Sequence, residues 1–230
     1  MSSSPHFRMG RRGVSPRKAD AVARQLPLFL KAREAGSADF FLTRLPPGHR
    51  LRILPEITAD PTFLDIETTG LNRDARISMI GVHSGGAYRA YVRGRDLHEF
   101  IGAWEKASVL ITFNGIRFDV PFILREFGLT RHPPHIDLLH EARAHGLTGG
   151  LKAIEARLGI TREGQECGDG LAAVRLWQAY ERAGDAESLG SLQAYNRKDV
   201  QSLIELTRIL WQRSAQDYPV RLKLALASGL

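Results

Sequence analysis

Asp65 and Glu67 interrupt the apolar run FLDIETTGL, residues 63 to 71, at alternate positions. In a strand, side chains alternate between faces, so Phe63, Asp65 and Glu67 share one face and Leu64 and Ile66 the other. Carboxylates on a strand of this kind are seldom buried unless they are paired or bind a metal. A solvated acidic face on an edge strand is the plainer alternative. A second acid, Asp119, stands in LITFNGIRFDVPFI with Asn114 and Phe118, where a strand gives way to a helix. Open α/β sheets bind ligands at the carboxyl ends of their strands. Equally, Asp119 could cap the following helix, although Pro121 as first helical residue would put that cap at Val120. The third acid, Asp199, falls on the stripe Leu192, Asn196, Asp199, Leu203, Leu206 and Leu210 of a long helical segment. An inward-facing carboxylate there needs a partner. Tyr195, four residues earlier, is a same-face neighbour, and a Tyr-Asp hydrogen bond is one possibility. A cation is the other.

Asp65, Glu67, Asp119 and Asp199 form a set of hard oxygen ligands with no His or Cys among them. Such a set suits Mg²⁺ or Mn²⁺, with phosphate oxygens completing the coordination. Two ions about 4 Å apart activate water and stabilise the leaving oxygen in phosphodiester cleavage. Tyr195, beside Asp199, is placed to orient that water.

The elements that must hold these residues follow from periodicity. TFLDIE reads as a strand, and ARISMIGVHS, the Gly85-Gly86 turn and AYRAYVRG as a hairpin. DLHEFIGAWEKA is helical, SVLITFN a strand, and VPFILREFGL a helix ended at Gly128. HIDLL is a short strand, and Leu151, Ile154 and Leu158 start a helix stopped by Gly159. Residues 161 to 170 are polar and Gly-rich, a loop. Two helices follow, over roughly 171 to 183 and 188 to 213. A hairpin followed by strand-helix alternation makes an α/β domain: a mixed β-sheet flanked by helices.

Composition narrows the class. The chain of 230 residues is 43% hydrophobic and 25% charged, as soluble globular proteins are, and has no run long enough to span a membrane. Its single cysteine, Cys167, excludes an internal disulfide and a CxxC metal site; a cytoplasmic location is expected. The net charge of +7 is concentrated at the start, where residues 1 to 60 hold eleven Lys/Arg against five Asp/Glu. This basic extension, expected to be partly disordered, either contacts phosphates or keeps the chain soluble. Its first 19 residues also have the composition of a transit peptide. The domain is expected over 61 to 213, with a tail from 214 to 230. His132, His135, His140 and His145 straddle different elements and read as structural or surface residues. Asp137 reads as a strand-end stabiliser, with an accessory acid as the alternative.

The three acidic motifs resemble those of the DEDD, or DnaQ-like, 3′–5′ exonuclease superfamily on the ribonuclease H-like fold. LDIETTGL is similar to its first motif, FNGIRFDVPFI to the second and YNRKD to the third. Tyr195 places the likeness with the DEDDy branch, and HIDLL with GGLKAIEARLGI resembles the stand-alone YprB-like bacterial group. The resemblance covers residues 60 to 212. It implies metal ligation by Asp65, Glu67, Asp119 and Asp199, two Mg²⁺ or Mn²⁺ ions and no other cofactor. It implies water orientation by Tyr195, and contacts from Thr68, Leu71, Asn114 and Phe118 to the terminal nucleotide. The expected partner is single-stranded DNA or RNA with a free 3′ end, with no membrane involved. A binding module without catalysis and a ribonuclease H-fold endonuclease are the alternatives.

Overall fold

The computed structural model describes residues 15–70, 72, 74–160 and 170–217. Met1–Ser37 and Ala38–Leu230 form separate compact units. The first contains α1 (Pro16–Glu34), which starts on a proline, where the missing N–H costs nothing, and carries Pro27 within it. Val22, Leu26 and Leu30 recur along it at four-residue spacing and are exposed.

The second unit begins with α2 (Ala38–Leu42) and α3 (Arg50–Ile57). Residues 38 to 60 cluster with the unit that holds the sheet. The sheet comprises β1 (Thr62–Thr68), β2 (Ile77–Ser84), β3 (Ala87–Val92), β4 (Leu110–Thr112) and β5 (His135–Asp137). Its order is β3-β2-β1-β4-β5. The β2–β3 hairpin runs antiparallel to β1, and β4 and β5 run parallel to it. Between them lie α4 (Phe100–Lys106) and α5 (Asp119–Phe127), and then come α6 (Leu138–Ala144), α7 (Leu151–Leu158), α8 (Gly170–Ala183) and α9 (Ala186–Asp217). The structure is the expected mixed sheet with helices on both faces. The expected loop over 161 to 170, with Cys167, lies outside the described residues except for Gly170, which opens α8.

The pleat sorts the two faces. Leu64 and Ile66 pair with Val82 and Ile80 and pack with Tyr91, Phe100, Trp104, Val120 and Ile123 beneath α4 and α5. On the opposite face Met79 and Val92 pack with Ala173, Trp177, Leu189 and Leu192 of α8 and α9. Asp65 and Glu67, opposite Gly81 and Met79, belong to this second face. Burial of this second face is what α9's leucine stripe accomplishes: Leu192, Leu203, Leu206 and Leu210 are fully buried. Its two carboxylate-bearing partners are thereby brought together with the residues between those leucines.

Candidate active site

The first site residues are fixed by the sheet. β1 pairs regularly with β2 through Asp65, Ile66 and Glu67, and the register slips between Glu67 and Thr68. A bulge of this kind bends a strand and re-aims its side chains, and such irregularities favour functional edges; beyond it Thr68 pairs with Ile77. Thr68 turns inward there and its hydroxyl donates to the Gly70 carbonyl at 2.8 Å. Leu71 lies outside the described residues.

α9 lays Asp199 across this strand. One ligand atom each of Asp65, Glu67 and Asp199 lies within 4.8 Å of the other two, the group among the described residues best arranged for a metal ion. Glu67 is 8% exposed and Asp199 9%. Burial pushes the Glu67 carboxyl well above the usual range, and the Asp199 charge adds to the rise. Three crowded carboxylates are a costly arrangement without a cation. Their donor chemistry fits a hard divalent ion such as Mg²⁺ or Mn²⁺.

Asp119 adjoins the group and is held differently. It is the first residue of α5, and the helix has no side-chain cap, Phe118 standing at that position. The Asp119 carboxylate turns to the sheet instead and accepts the Ile66 N–H at 3.2 Å. Pro121 is consequently the third helical residue. Asp119 is 3% exposed, and burial pushes its carboxyl upward, against the opposing pull of its own N–H and that of Ile66. Its charge also acts on Glu67.

The loop before Asp119 is built by Asp137. That carboxylate accepts the N–H of Asn114 at 2.8 Å, of Ile116 at 3.1 Å and of Leu139 at 3.0 Å. Asp137 thus caps α6 and ties the β4–α5 loop, the stabilising role its position at a strand end suggests. Asn114 sits at φ 62, a left-handed conformation that asparagine tolerates better than most residues. Gly115 follows because a Cβ there would lie 2.0 Å from the Thr112 hydroxyl. Phe118 stacks tilted on Phe122 with ring centroids 4.9 Å apart. Ile116, on the same loop, is 47% exposed.

Tyr195 is partly buried against the cluster of Met79, Trp177 and Leu192. The ammonium of Lys152 lies over its ring, 5.1 Å from the centroid, and the same charge favours ionisation of Glu67. Lys152 is thus a cation beside the acidic group, and sequence reasoning assigned it no role.

Asn196 was also missed as a site residue, though its place on the leucine stripe was plain. Fully buried, it donates from Nδ2 to Asp65 Oδ2 at 2.9 Å, to the Asp65 carbonyl at 3.3 Å and to Glu67 Oε1 at 3.4 Å. Its Oδ1 accepts the Tyr88 hydroxyl at 2.9 Å. The histidines, by contrast, take separate partners: His135 bonds Thr112 at 2.8 Å, and His145 bonds Ser214 at 2.9 Å.

Comparison with known proteins adds a family. The model of the RNase_H superfamily matches residues 62–211. A family B DNA polymerase from the hyperthermophilic archaeon Pyrobaculum calidifontis superposes with TM-score 0.52 at 16% identity, over 66% of this chain and 24% of the polymerase. The chain therefore spans about a quarter of that protein, and the likeness at this identity concerns the fold. NrnC of Brucella melitensis, in a structure bound to pGG, superposes with TM-score 0.38 at 18% identity, over 74% of this chain and 91% of NrnC. No curated protein matches the chain in sequence. Among the described residues no helix is long and apolar enough to cross a membrane.

Proposed function

The chain belongs to the RNase_H superfamily, and from that premise we propose that it is a metal-dependent 3′–5′ exonuclease acting on single-stranded nucleic acid. The observation that carries this reading is the convergence of Asp65, Glu67 and Asp199 within 4.8 Å, two from one strand and one from a distant helix. A scaffold that only bound nucleic acid would gain nothing from buried, mutually repelling carboxylates facing one another. Asp119, anchored to the same strand, is the fourth acid of the set.

In this reading Asp65, Glu67, Asp119 and Asp199 hold two Mg²⁺ or Mn²⁺ ions. Bound there, the ions supply acidification of a water and charge neutralisation at the leaving oxygen. The protein's own residues do the rest. Tyr195, a helical turn before Asp199, orients the attacking water through its hydroxyl. Thr68, Leu71, Asn114 and Phe118 receive the terminal nucleotide, the β4–α5 loop being held in shape by Asp137. Lys152, already beside the acids, places a positive charge where a substrate phosphate would lie. The order of the three acidic motifs, with tyrosine in the third, supports the exonuclease over an endonuclease of the same superfamily.

The test is a labelled single strand with one 3′ end blocked, offered as matched DNA and RNA with Mg²⁺ or Mn²⁺. A ladder growing only from the free end is expected. Internal cuts would make the protein an endonuclease, and binding without cleavage would make it a recognition module.

A further inference from the structure

We propose that Tyr88 and Asn196 are a positioning pair that fixes which carboxylate oxygens of Asp65 and Glu67 are presented to a divalent ion; this deepens, and rests on, the metal-dependent reading above. An asparagine amide has two ends of similar shape and opposite chemistry. Turned one way, its NH₂ group satisfies carboxylates; turned the other, its carbonyl oxygen repels them. Next to Asp65 and Glu67 only the first orientation is tolerable, and an amide at this place needs something to hold it so.

Tyr88 provides the hold. Its hydroxyl has one proton, with Asn196 Oδ1 at 2.9 Å and the Gln193 carbonyl at 3.5 Å as acceptors, so the shorter bond takes it. Burial drives the phenol further above its ordinary range, so the hydroxyl remains a donor at any working pH. The Arg197 guanidinium lies over the ring at 4.8 Å and clamps it from the outside. With Oδ1 committed to Tyr88, Nδ2 faces Asp65 Oδ2 at 2.9 Å and Glu67 Oε1 at 3.4 Å. One oxygen of each acid is thus engaged by the amide, which fixes the orientation of both carboxylates.

The sheet is shaped to admit this pair. Gly81, on β2, lies opposite Asp65 of β1 and Ala90 of β3. A Cβ at Gly81 would stand 1.6 Å from Asn196 Oδ1 and 3.0 Å from the Tyr88 ring. Glycine weakens a strand interior and marks close approach. Here what approaches is the amide that touches the acids. Partners that orient metal ligands without touching the ion typically change metal affinity 10- to 100-fold, roughly, when removed.

The experiment is titration calorimetry with Mn²⁺ on the full chain, alongside thermal melts in metal-free buffer. Asn196→Leu keeps volume and loses the donor; its Mn²⁺ dissociation constant should rise about 10- to 100-fold. Tyr88→Phe keeps the ring and loses the lock; a rise of roughly 3- to 10-fold is expected from one hydrogen bond. Because Tyr88 acts through Asn196, adding Tyr88→Phe to Asn196→Leu should weaken Mn²⁺ no further. A merely structural pair would lower the melting temperature and leave Mn²⁺ affinity alone. Wild-type affinity in a folded Asn196→Leu chain overturns the proposal. Should that variant fail to fold, wild-type affinity in Tyr88→Phe overturns it equally. Absence of saturable Mn²⁺ binding by the wild-type chain would sink the metal reading and this proposal together, a result distinct from binding that the variants leave unchanged.

Discussion

The backbone N–H of Ile66 donates to the carboxylate of Asp119 at 3.2 Å, joining residues 53 apart in sequence. Ile66 lies between Asp65 and Glu67 on β1, so the second acidic motif is pinned to the midpoint of the first. The acid that opens α5 serves the sheet rather than its own helix.

Removing a single acid separates chemistry from folding. Asp65→Asn, Glu67→Gln, Asp119→Asn or Asp199→Asn should each abolish nearly all cleavage. Glu67→Gln should also raise the metal-free melting temperature, since it removes a buried carboxyl raised by desolvation and by Asp199. Calorimetric melting in EDTA, paired with cleavage assays, checks both halves. Cleavage near wild type in any of the four variants would refute its assignment as a metal ligand.

Tyr195→Phe isolates a hydroxyl. The ring, packed on the Trp177 cluster and covered by Lys152, is retained. A water-orienting role predicts a loss of roughly 10²-fold in single-turnover rate, with substrate affinity little changed. An unchanged rate with a lowered melting point would instead make the hydroxyl structural.

Asp137→Ala should damage the site from beneath. Three backbone N–H groups lose their acceptor, and Asp137 is 1% exposed. The Leu139 bond is buried and the other two are half-buried; an unsatisfied buried donor costs about 1–3 kcal/mol, so a loss of roughly 2 kcal/mol is expected in urea unfolding. Cleavage should fall as well, because the loop bearing Asn114 and Phe118 loses its anchor. Wild-type stability would show that the loop holds itself.

Glu141, away from the acids, makes stability depend on pH. Burial pushes its carboxyl from the ordinary 4.5 to about 7, although it accepts the Gly48 N–H at 2.7 Å. The native chain therefore keeps this proton to higher pH than the unfolded chain does. Between about pH 4.5 and 7 the native state binds more protons, so stability falls as pH rises and levels off above pH 7. The full effect is ~3 kcal/mol. Glu141→Gln removes it, so relative to wild type the variant should be more stable at pH 8 than at pH 4.5. Urea unfolding at the two pH values decides; an equal difference at both would rule the titration out.

Removing Met1–Ser37 tests the basic leading segment, which carries eight Lys/Arg against two Asp/Glu. If it grips phosphates, the salt dependence of single-strand binding should flatten by about 0.7 per lost contact, with turnover at saturation preserved. An unchanged slope would leave the segment outside recognition.

What the sequence made legible was whatever repeats with a period. The alternation in β1, the hairpin around Gly85-Gly86 and the leucine stripe of α9 each follow from local spacing, and with them the placement of Asp65, Glu67 and Asp199 on inward faces. The helices between residues 16 and 57 were hidden because the basic start of the chain reads as a partly disordered extension, although Pro16 opens α1 and Pro27 and Pro55 are accommodated inside α1 and α3. Asn196 and Lys152 were hidden for another reason: their value depends on neighbours contributed by distant elements. Even so, a glycine in the apolar strand SMIGVHS and an asparagine among leucines were signals of a close approach. Only the pairing of β1, β2 and β3 says what approaches what.

The 131 residues separating Asp65 from Asn196 also set a schedule. Of the described elements that touch the sheet, α9 comes last in the chain, and it carries Tyr195, Asn196 and Asp199 together. Contacts this far apart close late, because the intervening chain must be ordered first. Until then β1 and α5 hold Asp65, Glu67 and Asp119 without Asp199, and the acidic group is incomplete. The acidic group closes in one step, with the docking of a single helix.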